Sequence, residues 1–261
     1  MALQYLKEET VDIGMISEKE KEELKTSAAS ITSGTTAVST AENPQFIAGK
    51  SLFISTRGIP VLRLPLPPSE LEIGIYNADG SLAFQSTREK RWSGSCVLSD
   101  ASRNNLVGTT YFWGPSRDPV LKLLGPSADP NANTIKTVSK WTSRSQKFVM
   151  PDGRTFEWTY KRERLAGGKK ATLLVLYRRD GSAKNGKRIA QLMRDEDTRS
   201  PGSSKCSAGN GGELVLSQDA VEAMDEAVIV ATCMLMLKKE IDRRRTVQMM
   251  MISAAISGGS G

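Results

Sequence analysis

The sequence predicts a mainly β protein: roughly ten to twelve antiparallel strands that can curl into a closed β-barrel around a central hydrophobic C-terminal helix. Three observations predict it. From residue 51 onward the chain is a succession of short apolar runs punctuated by Gly, Pro, Asn and Asp. Three Asp-Gly pairs, the commonest hairpin signal, sit between such runs. One strong helix follows them, and its middle has no polar face.

The strands come first. Asp79-Gly80 separates Leu71-Ile73-Ile75 from Leu82-Phe84, Asp152-Gly153 separates Phe148 from Phe156, and Asp180-Gly181 separates Leu173–Tyr177 from Ile189–Leu192. The clearest strand is Thr155–Tyr160, where Phe156, Trp158 and Tyr160 share one face and Thr155, Glu157 and Thr159 the other. Further candidates are Leu52–Ser55, Val61–Leu64, Thr109–Trp113, Val120–Leu124, Ile135–Val138 and Glu213–Leu216. No βαβ alternation interrupts them, which argues against a Rossmann or TIM arrangement.

The helix is expected from about Asp219 to Arg245. Asp219, Glu222, Asp225 and Glu226 stand in its first turns and Lys238, Lys239 and Arg243–Arg245 near its end, the order the helix dipole favours. Between them Val228, Ile229, Val230, Met234, Leu235, Met236 and Leu237 cover all sides. Each such side chain gains roughly 1.5 to 3 kcal/mol by leaving water, so the segment has to be enclosed all round. A large antiparallel sheet that curls until its edges meet supplies that enclosure and leaves no free edge.

Composition divides the chain into three parts. Residues 1–50 carry 5 Lys or Arg and 8 Asp or Glu, and Thr26–Asn43 is nearly all small and hydroxylic; this part is expected to be a flexible Ser/Thr/Ala-rich tail, with one short helix starting at the capping box Ser17–Glu20. Residues 51–245 are the barrel and its helix. Residues 246–261 form a Met-rich tail expected to dock on its own barrel or on a partner or membrane surface.

Histidine is absent, which removes Ser-His-Asp and Cys-His catalysis and His-ligated metal sites. Cys96, Cys206 and Cys233 are odd in number and far apart, suiting neither a disulfide framework nor a metal knuckle, and Cys233 is expected as a small core residue. No cofactor, metal or catalytic residue is expected. The apolar run Ala227–Leu237 is about 16 Å of helix, half of what a bilayer core requires, so no transmembrane segment is expected. Met1–Thr10 lacks the apolar stretch of a secretory signal, and the expected location is cytoplasmic, peripheral to a membrane, or nuclear.

Charge supplies the candidate site. Residues 136–194 hold 16 Lys or Arg against Asp152, Glu157, Glu163 and Asp180. Lys161, Arg162, Arg164, Lys169 and Lys170 bracket a loop, and Arg178 and Arg179 end the next strand. If Thr155–Tyr160 pairs with Ala171–Tyr177, the seven are expected at one end of the hairpin. They either hold a phosphate-bearing group or form a solvated edge that prevents strand pairing. Other motifs weigh less. Gly49-Lys50-Ser51 lacks the first glycine of a P-loop, because Pro44 stands there. Gly209–Gly212 suggests a flexible turn and Asp195–Asp197 a solvated loop. Trp92, Trp113, Trp141 and Trp158 suit a core or barrel rim.

Phe148-x3-Asp152-Gly153-x2-Phe156-x-Trp158, with Asp225–Val230 and a basic helix end, resembles the fungal proteins with a tubby C-terminal-like domain, whose superfamily includes phospholipid scramblases and plant LURP-one-related proteins. The resemblance spans about residues 51–245 and implies a twelve-stranded barrel around a hydrophobic helix. Tubby proteins hold phosphoinositide headgroups on basic barrel residues, but none of those positions can be matched here. The expected function is therefore a non-enzymatic binding module engaging anionic phospholipid or phosphoinositide headgroups through the basic hairpin end. The alternative is a structural or protein-interaction domain without a small ligand, and nucleic-acid binding is the weaker third reading.

Overall fold

The structure is a computed structural model and describes residues 46–61, 70–90, 93–112, 118–125, 133–138, 143–164, 168, 170–179 and 186–258. Twelve strands precede the helices: β1 Ala48–Ser55, β2 Glu72–Asn77, β3 Leu82–Thr87, β4 Cys96–Asp100, β5 Asn105–Thr110, β6 Val120–Leu123, β7 Thr134–Val138, β8 Gln146–Val149, β9 Thr155–Arg164, β10 Lys170–Arg178, β11 Lys187–Met193 and β12 Glu213–Ser217. Each pairs antiparallel with its chain neighbours, and β12 returns to β1 through Val215 opposite Ser51, so the barrel is closed. Two of the three Asp-Gly pairs make the expected hairpins, with Gly80 at φ +81° and Gly153 at φ +85°, a conformation glycine adopts without a Cβ penalty. The third lies outside the described residues.

Two helices follow, α1 Ala220–Ala223 and α2 Glu226–Gly258. The single helix expected from Asp219 is thus broken at its start. Met224 is extended, and Asp225 restarts the helix by accepting the Ala227 amide at 2.8 Å, the role of an N-cap. Every residue from Ala227 to Leu237 is buried, in one cluster with lumen-facing side chains that include Leu52, Ile75, Leu98, Leu121, Phe148, Phe156, Leu174 and Leu214. The expected enclosure is met, with α2 running through the lumen. Its one hydroxyl there is satisfied on both sides: Trp158 Nε1 donates to Thr232 Oγ1 at 3.0 Å, which donates to the Ile229 carbonyl at 2.9 Å.

Four local expectations are corrected. The barrel begins at Ala48, before residue 51, and Phe46 already packs against the cluster of Leu173, Val175, Tyr177, Met193 and Val215. Strand β4 has no counterpart in the pattern reading, and the strand expected at Thr109–Trp113 is β5, which ends at Thr110. Gly209–Gly212 is buried, not a flexible turn. A Cβ on Gly209 would come within 2.4 Å of Ile241, and one on Gly211 within 1.9 Å of the Ile54 carbonyl, so both must lack one. Finally, α2 does not stop at Arg245 but continues as helix through residues 246–258. Met249, Met250 and Met251 stand exposed there, while Gln248 Nε2 donates to the Val61 carbonyl at 2.9 Å. Val61 is exposed, the rest of its candidate strand lies outside the described residues, and so do residues 1–45 and Trp92, Trp113 and Trp141.

The two halves of α2 predict opposite responses to truncation. Ile229→Ala, at a fully buried position, should lower stability by about 2–5 kcal/mol. Met250→Ala, 66% exposed, should change it by less than about 0.5 kcal/mol in the same urea titration.

Candidate functional site

The helix leaves the lumen through one mouth of the barrel, and polar side chains from helix and strands meet there. At the entry mouth the charges pair simply, Lys50 with Glu226 at 2.7 Å and Lys187 with Asp219 at 2.6 Å. At the exit, Glu240 is the hub. Its carboxylate accepts both Arg194 terminal nitrogens, at 2.7 and 2.9 Å, the Gly209 amide at 2.8 Å and the Tyr160 hydroxyl. Burial alone would raise the Glu240 carboxyl; Arg194's charge and these hydrogen bonds outweigh it and hold it below the usual carboxylate range. Burial, with the Glu240 charge beside it, pushes the Tyr160 phenol up. Cys233, enclosed beneath this layer, has its thiol pushed up by burial to about 12, consistent with an inert core residue.

A second pair lies on the other side of the helix. Asp242 accepts the Lys238 ammonium and the Tyr111 hydroxyl, each at 2.5 Å, and Lys238 also sits 4.7 Å from the Tyr111 ring centroid. Lys239 donates to the buried Gln146 side chain, and burial followed by the charge of Arg243 lowers it to about 8. Arg194, Glu240 and Asp242 were not singled out from sequence. Lys238 and Lys239 read there as a charged helix end, whereas here both are buried, Lys238 paired with Asp242 one turn along the same helix and against the Tyr111 ring, and Lys239 bonded to Gln146 on β8.

Above this layer the mouth opens into a cleft of about 1180 Å³. Among the described residues its lining carries nine Lys or Arg against four Asp or Glu. Arg162 and Arg164 come from the end of β9 and Lys170 from the start of β10. Arg194, Arg199 and Lys205 come from the β11–β12 connection, Arg243 and Arg244 from α2, and Arg144 from the approach to β8. Two of the four acids are engaged already, Glu240 with Arg194 and Glu163 with the buried Arg188 at 3.1 Å. None of Arg162, Arg164, Lys170, Arg199 and Lys205 makes an ion pair with a described residue.

The expected hairpin exists, but it does not gather all seven cations. Antiparallel pairing sets Arg164 opposite Lys170 at one mouth and Arg178 opposite Phe156 at the other, about 25 Å along the strand. Arg178 and Arg179 therefore belong to the entry mouth, where Arg179 pairs with Glu157 at 2.8 Å and lies over the Tyr177 ring. Lys161 points out of the barrel wall, 5.4 Å from the centroid of the same tyrosine ring, because residues alternate faces along β9. Lys169 lies outside the described residues. Of the six described, Arg162, Arg164 and Lys170 line the cleft. Asp195 spends its carboxylate on its own turn, accepting the Thr198 amide at 2.9 Å, and among the described residues no group of three His, Cys, Asp or Glu could hold a metal ion.

No protein-family model matches the chain, and no curated protein does. Among solved structures it is similar to a protein of Arabidopsis thaliana, 14% identical over 74% of this chain and 93% of that one, with a TM-score of 0.38. A likeness that loose carries no argument about ligand or descent.

The Glu240 hub predicts a pH-dependent stability term. Glu240→Gln leaves Arg194 buried without its counter-charge and should lower stability by about 3–5 kcal/mol at neutral pH. A carboxyl held below its usual 4.5 contributes stability that is present above that value and is lost as pH falls through the folded value. The gap between native protein and variant in urea titrations should accordingly narrow on acidification below about 4.5.

Proposed function

We propose that the protein is a non-enzymatic binding module whose exit-mouth cleft takes the phosphate-bearing headgroups of anionic phospholipids, phosphoinositides among them. The observation that carries this reading is the convergence, among the described residues, of nine cations from four separate stretches of chain on one cleft with four acids. Cations that served solubility alone would be spread over the wall, as Lys161 is. A headgroup phosphate accepts hydrogen bonds from several guanidinium groups at once, and the cleft lining includes Arg144, Arg162, Arg164 and Arg199. The projecting end of α2 supports a membrane source for the phosphate. Val247 lines the cleft, and Met249–Ile252 extend from the same mouth as exposed apolar side chains, so apolar and basic surfaces face one direction. No helix among the described residues is long and apolar enough to cross a bilayer, so the reading is of a surface contact.

Kinship with the tubby, scramblase and LURP-one-related superfamily is part of the proposal, supported by the barrel and its threaded helix together with the residues quoted above. A protein-interaction role is the second reading, favoured by the same exposed methionines, which suit an adaptable protein interface.

Sedimentation with phosphatidylcholine vesicles, with and without a phosphoinositide, tests the first reading. Binding should require the phosphoinositide and weaken at high salt. R162Q/R164Q/K170Q should weaken it about a hundredfold, at about 1 kcal/mol per cation. R179Q, at the other mouth, should bind as the native protein does. Equal binding by the triple variant contradicts the proposal.

A further inference from the structure

A second cavity, of about 500 Å³, opens on the other flank of α2 at the same mouth. It is walled by the ends of β1, β2 and β3, by residues 202–207 and by the helix; among the described residues it shares Ser207 with the basic cleft but none of that cleft's Arg or Lys. Arg88 follows β3 on the face that continues the inward Phe84 and Ser86, which turns its side chain into the mouth beside Met234, Leu237 and Lys238. It is 7% exposed, and among the described residues it makes no ion pair and its Nε has no hydrogen-bond partner. A buried guanidinium left in that state is costly, because its five donors are always charged and always seek acceptors.

The surroundings deepen the deficit of negative charge. Lys238 is lowered chiefly by burial; Asp242 opposes that, and the charges of Arg88 and Arg245 add to it. Asp242 is already occupied by Lys238 and Tyr111. The acid lining the cavity, Glu70, is turned toward the β1 end instead, accepting the Thr56 hydroxyl at 2.5 Å and the Arg57 amide at 3.0 Å. Ser204 and Ser207 share one hydroxyl-to-hydroxyl bond at 3.2 Å, leaving one O–H of the pair to donate elsewhere. Beyond these polar groups the wall is apolar, from Ile73, Met234, Leu237 and Ile241.

From the unpartnered, buried Arg88 in this mixed cavity we infer a second binding site, distinct from the basic cleft, for a phosphate monoester: its phosphate on Arg88 and the serine hydroxyls, its organic group against the apolar wall. A phosphate presents the paired acceptors a guanidinium fork requires and supplies the missing negative charge. The volume falls in the range of small-molecule sites and exceeds what a bare phosphate fills.

Calorimetric titration of the full chain with inorganic phosphate and with phenyl phosphate tests it. Both should bind saturably, phenyl phosphate more tightly. R88Q, checked for folding by circular dichroism, should weaken both about tenfold or more, the loss of one charge-assisted contact. If R88Q does not fold, Ser203→Glu serves instead: it sets a carboxylate at the cavity rim and should weaken phenyl phosphate by at least as much. Absence of saturable binding to the native protein overturns the inference, as does unchanged binding by the folded variant. R162Q/R164Q/K170Q separates the two sites: phosphate binding that vanishes there and survives in R88Q belongs to the basic cleft and also overturns it.

Discussion

An α-helix that is apolar on every side cannot rest on the surface of anything, and that constraint organises the molecule. A single flat sheet would cover one face of Ala227–Leu237 and leave the others wet. Twelve antiparallel strands whose first and last members pair cover all of them, and closure disposes of the strand edges as well. Helix and barrel are thus mutually required. The strands supply alternate inward residues, and the helix fills a lumen that side chains of twelve strands would not fill by themselves. Where a hydroxyl does enter this interior, at Thr232, the indole of Trp158 meets it.

The same constraint explains why chemistry gathers at the ends. A helix longer than its barrel must emerge, and where it emerges its polar residues are still half enclosed. Glu240, Asp242 and Lys239 sit in that zone, each with a partner on a strand or loop, namely Arg194 and Tyr160, Tyr111, and Gln146, while Lys238 pairs with Asp242 on the helix itself. The collar fixes the axial position of the helix, since sliding it by a turn would strand these charges without partners. Above the collar, strand ends and the β11–β12 connection bring side chains together that lie far apart in sequence, and most of these are basic. A positively charged cleft beside an exposed apolar helix end is the geometric basis of the proposed lipid contact.

Much of the fold was legible because it is written locally. Hairpins announce themselves in Asp-Gly pairs, and the helix in an unbroken apolar stretch between acidic and basic ends. Strand β4 was not, because Cys96–Asp100 places only Leu98 fully inside and so shows no alternation to read. Basic content around the β9–β10 hairpin was visible, but its geometry was misjudged: antiparallel pairing sends Arg178 and Arg179 to the far mouth and strand pleating turns Lys161 outward. The collar was invisible for a different reason. Arg194 and Glu240 are 46 residues apart, and Tyr111 and Asp242 are 131 apart, so only the closed barrel makes them neighbours. A glycine run that looked like slack, Gly209–Gly212, is instead where backbone, helix and β1 approach too closely for a side chain.

Native-state hydrogen exchange along α2 tests the threaded helix most directly. If strands enclose it on all sides, amides from Val228 to Leu237 can exchange only when the barrel unfolds as a whole. Their protection should then equal the global stability and fall with denaturant at the full unfolding slope, while amides beyond Val247 exchange orders of magnitude faster. Exchange of the Val228–Leu237 amides by a low-energy opening insensitive to denaturant, with the strands still protected, would contradict the account.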